Sequence, residues 1–186
     1  MTGVISVAIV IDTQSILETH PDPSQDPSAP TAIADNCCYL VAQTAYVSRG
    51  QATAHLHIKA HNGGADDDLT HALRTIRWRS LSLSGSAGHN VIVYNVIMLS
   101  RMSVAGPIAA VMAQPEIPLP ILEDSRNTDP PSFSSVPAND YFLEAKVTNN
   151  GTERFGVCFY ITAQDEQTGV PATVGYFGWH PTLTIV

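Results

Sequence analysis

The run VISVAIVID at residues 4–12 sets the terms for the fold, because it is almost entirely Val, Ile and Ala. A short, continuous β-branched run of this kind reads as a buried strand. The same signal returns along the chain. CYLVAQTAYVS and QATAHLHIKAH follow, separated by Arg49-Gly50, which suits a hairpin turn. TIRWRSLSLSG alternates Ile76, Trp78 and Ser80 with Arg77, Arg79 and Leu81, and so predicts an edge or half-exposed strand. NVIVYNVIMLS predicts another buried strand. VAGPIAAVMAQPEIPLPILED carries four prolines, which confines it to short edge segments or loop. YFLEAKVTNNGTERFGVCFYITAQD predicts a hairpin closed on Asn150-Gly151, and VGYFGWHPTLTIV one or two final strands.

Helix is scarce. DTQSILETH predicts one short helix capped by Asp12 or Thr13, and DDDLTHALRTI a second. Many short strands with frequent turns point to an all-β, antiparallel, jelly-roll-like sandwich with one or two short helices, occupying residues 1–186 as a single domain.

Composition narrows the function classes. Charged residues make up 14% of the chain, against roughly 25% in an ordinary soluble domain, so the surface permits self-association and a homo-oligomer is expected. A net charge of -8 argues against nucleic acid, which needs clustered Lys and Arg. No run approaches the roughly 18 apolar residues of a membrane span. The first residues have no basic region or small-residue cleavage site, so no secretory leader is read. Three cysteines, two of them adjacent at Cys37 and Cys38, suit a reducing compartment, and the cytoplasm is the expected location. Cys158 reads as a core thiol, and one of Cys37 and Cys38 as buried with the other partly exposed.

Three groups of residues are candidates for chemistry. On a strand, His55, His57 and His61 share one face, the beginning of a cupin-type metal site. The acidic cluster Asp66, Asp67 and Asp68 offers oxygen ligands for calcium, with Asp129, Asn139 and Asp140 available in a second polar loop, but it also reads as a helix start. Tyr176, Trp179 and His180, within GYFGWHP, could form a stacking platform and polar partner for a sugar ring, or be core and interface aromatics. No nucleophile elbow is present. The chemistry therefore implies no resident cofactor, with calcium or a transition metal as the only candidates.

The stretch DTQSILETHPDPSQDPSAPTAI, residues 12–33, resembles the opening of the AidA/PixA family of bacterial inclusion-body proteins. The matching residues are Asp12, Thr13, Gln14, Ser15 and Ile16, then Pro21, Pro23, Ser24, Gln25, Pro27, Ala29, Pro30 and Thr31. YNVIMLS, YFLEAKV and FGVCFYI look familial as well, so the resemblance spans nearly the whole chain. It implies a small non-enzymatic protein that self-assembles, in some members forms intracellular inclusions under quorum control, and is linked to host association. Carbohydrate binding is implied for PixA-like members. With only four methionines the chain looks closer to the AidA branch. The alternative is a metal-dependent, cupin-like enzyme using His55, His57 and His61. The Pro-rich stretch itself is expected to cover a sheet edge or to reach a neighbouring subunit, its prolines lowering the entropy lost on ordering.

Overall fold

The computed structural model describes residues 4–50, 52–59, 74–84, 88–100, 104–114, 119–122, 133–165 and 167–186. In chain order the elements are β1 (Val4–Ile11), α1 (Thr13–Thr19), β2 (Thr31–Ala32), a 3-10 turn (Asp35–Cys37), β3 (Cys38–Ala42), β4 (Val47–Arg49) and β5 (His55–Ile58). They continue with β6 (Thr75–Ser82), β7 (His89–Met98), β8 (Ala109–Ala113), β9 (Leu119–Leu122), β10 (Phe133–Val136), β11 (Asp140–Lys146), β12 (Gly151–Gln164), β13 (Pro171–Trp179) and β14 (Thr182–Ile185). The second expected helix, in DDDLTHALRTI, falls almost wholly outside the described residues.

Two sheets face each other across one apolar core. The first has the order β3-β1-β6-β11-β8. The second is built on the 14-residue strand β12, with β7 along one flank and β13 followed by β14 along the other. Beyond β13 lies β2, and beyond β14 lie β5 and β4. β13 and β14 form one path bent at His180-Pro181. Proline has no N–H to give the ladder, and Phe155 N–H instead donates to the Pro181 carbonyl at 2.9 Å. β9 and β10 make a separate two-stranded ribbon.

The inward rows follow from period-2 alternation. Ile5, Val7, Ile9 and Ile11 of β1 are all at most 1% exposed, and Ile76 and Trp78 of β6 lie beside them. Opposite stand Phe155, Val157, Phe159 and Ile161 of β12 with Phe177 and Trp179 of β13. Phe159 and Phe177 stack at 5.7 Å, and Trp78 meets Phe155 at 5.9 Å across the core. Burying such side chains gains roughly 1.5–3 kcal/mol each before chain entropy is counted.

The sandwich is as expected, with four corrections in detail. First, the sheets are mixed: β1–β6, β5–β14 and β2–β13 pair in parallel. A long excursion separates each of these pairs in sequence, and such connections permit parallel pairing. Second, β6 is half-exposed, as its alternation implies, but it is the middle of five strands and not an edge. Its arginines are tolerated because they face outward onto β11, where Arg77 Nε donates to Glu144 at 2.6 Å and Arg79 Nε donates to Asp140 at 2.9 Å. Both guanidiniums lie over the Phe142 ring, at 4.5 and 4.8 Å. Third, β11 and β12 do not form a hairpin. β11 pairs with β6 and β8 in the first sheet, and β12 belongs to the second. Asn150-Gly151 is thus a crossing between sheets, with Gly151 at φ +148° and Asn150 outside the positive-φ region a type I′ turn needs. Fourth, β7 is buried on one face only, with Ile92 and Ile97 turned outward.

The cysteines also differ from expectation. Cys37 closes the 3-10 turn and Cys38 opens β3, so the two do not alternate across one strand and both are buried. Burial pushes both thiols up, with the charges of neighbouring groups adding to the effect. Cys158 is only half-buried, on the outward face of β12.

Candidate functional site

The family-like opening residues build a structural device at the end of β1. Asp12 caps α1: its Oδ1 accepts from Ser15 N–H at 3.1 Å and its Oδ2 from Ser15 Oγ at 2.8 Å. These bonds hold the Asp12 carboxyl below its ordinary range, since they favour the charged form. Ser84 Oγ adds a third contact, at 3.4 Å, and itself accepts from Gln14 N–H at 3.2 Å. Thr13 is fully buried and its hydroxyl bonds that of Ser82 at 3.0 Å. Ile16 is buried in the core. The Asp-Thr-Gln-Ser-Ile segment thus ties a short helix to the far end of β6.

The prolines that follow form a strap along the outer edge of β13. Ser24 N–H donates to Thr31 Oγ1 at 2.9 Å, drawing the two ends of the strap together. The Ser24 carbonyl accepts from Tyr176 N–H at 2.9 Å, Gln25 Nε2 donates to the Val174 carbonyl at 2.8 Å, and Ile33 N–H donates to the Gly178 carbonyl at 2.9 Å. Gly175 has no side chain because Pro23 occupies the space: a Cβ there would lie 2.4 Å from the Pro23 ring. Pro30 lies against Gly178. Tyr94 Oη donates to the Pro27 carbonyl at 2.7 Å, so the strap also reaches the outward face of the second sheet. The expected cover for a sheet edge is present, and the edge is that of β13.

That outward face is the candidate site. Tyr94, Tyr160 and Tyr176 pack together there with ring centroids 5.9–6.1 Å apart. The bulge between Cys158 and Phe159 makes room for Tyr94 to turn outward beside its neighbour Asn95. Ile92, Ile97 and Leu99 continue the apolar surface, Leu99 being 50% exposed. Gly156 lies beneath Leu99, Ile97 and His180 on this face. The contrast with the first sheet is one of charge: its outward face carries the Arg77–Glu144 and Arg79–Asp140 pairs. Sequence reading missed this patch because its three tyrosines sit in three different strands, and only the alternation in NVIVYNVIMLS hinted at it.

The other expected residues are placed as follows. Tyr176 joins the tyrosine cluster, and His180 lies exposed near Gly156. Trp179 is wholly buried and its Nε1 donates to Asp35 at 2.8 Å, so its ring offers no face to a sugar. Asp140 is engaged by Arg79, which holds its carboxyl below the ordinary range and takes the oxygens a calcium ion would need. Asn139 is exposed immediately before β11. Asp129, His61, Asp66, Asp67 and Asp68 lie outside the described residues.

His55 and His57 do share a face, with rings 4.4 Å apart. His55 Nε2 bonds Thr184 Oγ1 at 2.9 Å, and Thr184 bonds Thr152 at 2.9 Å, so His55 is committed to a hydroxyl ladder. Desolvation, then the neighbouring His55 and Arg49, depresses the His57 pKa. Among the described residues no three His, Cys, Asp or Glu side chains come together to hold a metal ion. A cleft of about 820 Å³, lined in part by Met98, Val104, Asn149 and Thr152, opens near the far end of this ladder. No helix among the described residues is long and apolar enough to cross a membrane.

Comparisons with known proteins agree with this architecture. A crystal structure of an inclusion body protein (PixA) from Burkholderia cenocepacia J2315 superposes with a TM-score of 0.75. The two are 20% identical, over 100% of this chain and 97% of that one, a likeness of fold. No curated protein matches the sequence. The family model described as "PixA: Inclusion body protein" matches residues 3–185, and on that match the chain belongs to the PixA inclusion body protein family.

Proposed function

We propose that this protein is a non-enzymatic, self-associating member of its family, whose copies meet through the outward face of the second sheet. The observation that carries the reading is the outward face on which Ile92, Ile97 and Leu99 are exposed beside the three-tyrosine cluster, on a chain with a net charge of -8. Contiguous exposed apolar patches mark interaction sites in soluble proteins. A second copy is the favoured occupant, since the family is described by the bodies its members form. The strap borders this face through Pro27, which would set it beside the contact.

Sedimentation velocity from micromolar to near-millimolar protein tests the reading. Wild type should gain mass with concentration, and Leu99→Lys or Ile97→Lys should reduce that gain. A wild-type monomer throughout would end it.

A second reading rests on the tyrosine cluster beside the exposed Asp26 and Ser28 of the strap, where a sugar ring could stack on aromatic faces and bond a carboxylate. A glycan array with wild type and Tyr176→Ala decides it, and a flat array with and without calcium removes the lectin reading. A catalytic role for His55 and His57 would instead appear as stoichiometric metal in untagged protein, lost in His57→Ala.

A further inference from the structure

We infer that the open edge of β8 is a second self-association site, pairing antiparallel with β8 of another copy about a two-fold axis. This rests on the self-association reading above and adds a distinct interface to it.

β8 ends the first sheet. Its ladder runs to β11 alone, from Ala109 opposite Glu144 to Ala113 opposite Asp140, and no strand among the described residues lies on its other side. Such a row of unmatched N–H and C=O groups is a template for an added strand. Other edges of the sandwich are closed or blunted. Along β3, Leu40 N–H donates to Thr53 and Ala52 N–H donates to Leu40, at 2.9 and 3.0 Å. The strap covers β13. β4 is three residues long and carries Arg49, and β7 is bent by its bulge at Tyr94. β8 has none of these protections: residues 109–113 read Ala-Ala-Val-Met-Ala, with no charge, proline or bulge.

The sequence of the strand selects the partner. About Val111 it is nearly a palindrome, so a two-fold pairing sets Ala109 opposite Ala113 and Ala110 opposite Met112 of the other copy. Those contacts are small and neutral, and they let two net-negative molecules approach where like charges do not face each other. Met112 is 65% exposed and would gain a partner on the same seam. Pro107 bounds the strand on one side, so the seam is short and the contact weak by itself. Combined with the apolar face of the opposite sheet, it gives each copy two different neighbours. Two non-equivalent two-fold interfaces on one subunit propagate wherever their axes do not meet in a closed point group, the geometry an extended dense body requires.

The test uses full-length protein with Met112→Lys, Ala110→Lys, Met112→Leu and Leu99→Lys, each checked for native circular dichroism. In sedimentation velocity the wild type should pass beyond the dimer as concentration rises. Met112→Lys and Ala110→Lys should stop at the dimer formed by the outward face, Met112→Leu should behave as wild type, and Leu99→Lys with Met112→Lys should leave monomer. Unchanged assembly in both lysine variants of β8 overturns the edge pairing and leaves the face reading standing. Unchanged assembly in Leu99→Lys with loss in Met112→Lys does the reverse.

Discussion

Replacing Gly175 with alanine should dislodge the strap, and the size of the effect can be worked from the contacts. The new Cβ would lie 2.4 Å from Pro23 Cγ and 2.5 Å from Pro23 Cβ. Carbon atoms pack at roughly 3.5–4.0 Å, so one partner must move by about 1 Å. A proline ring has no rotamer by which to swing aside, which leaves the strap itself to lift. Lifting it breaks the bonds from Tyr176 N–H to Ser24 and from Gln25 Nε2 to Val174, each worth about 1 kcal/mol net. Overpacking that cannot relax costs about 1–3 kcal/mol, so a loss of about 2–3 kcal/mol is expected either way. For a chain of this size that is a fall in Tm of about 4–12 °C. Urea unfolding followed by tryptophan fluorescence measures the stability, and hydrogen exchange at the Tyr176 amide reports the strap directly. Gly178→Ala serves as the control, because its Cβ would meet Pro30 at 3.4 Å, an ordinary contact. In a Pro23→Gly background the penalty of Gly175→Ala should largely vanish. Equal stability of Gly175→Ala and wild type, or an undiminished penalty in the Pro23→Gly background, would refute the account of the strap.

Asp12→Ala should cost about 0.5–2 kcal/mol through loss of the α1 cap, read by denaturation. Because the folded Asp12 carboxyl is depressed, its contribution is full above the ordinary value near 3.8 and lost as pH falls through the lower folded value, so this variant should flatten part of the acid limb of stability. Asp140 is depressed in the same sense by Arg79, and Asp140→Asn should flatten another part. By NMR His57 should titrate below 6.5 and move upward in His55→Ala; as a depressed base it disfavours the fold as pH drops below the unfolded value. Of the three thiols, Cys158 alone should react slowly with a thiol reagent in native protein, with Cys37 and Cys38 following only on unfolding; fast reaction of either would contradict their burial.

The features readable from sequence were those decided locally. Strand periodicity and the cap at Asp12 depend on neighbours a few residues away, and both are found where the residues implied. Partnership between strands was not readable in this way. TIRWRSLSLSG looks like an edge because its arginines alternate with apolar residues, yet the acids that neutralise them, Glu144 and Asp140, come from a strand more than sixty residues later. Asn150-Gly151 carries the composition of a tight hairpin, but the long-range pairing of β11 with β6 overrides it. The aromatic segment GYFGWHP splits by alternation, Phe177 and Trp179 inward and Tyr176 outward, and only the fold tells which set meets solvent. The outward patch draws on β7, β12 and β13 together and has no sequence motif of its own.

The central claim, that this protein acts by meeting copies of itself through the outward face of its second sheet, is tested most directly by sedimentation velocity of wild type beside Ile97→Lys and Leu99→Lys across a wide concentration range. The account predicts reversible growth in mass for wild type and a marked loss of it in both variants with the fold intact. A wild-type protein that stays monomeric to near-millimolar concentration, or variants that associate as wild type does, would contradict it.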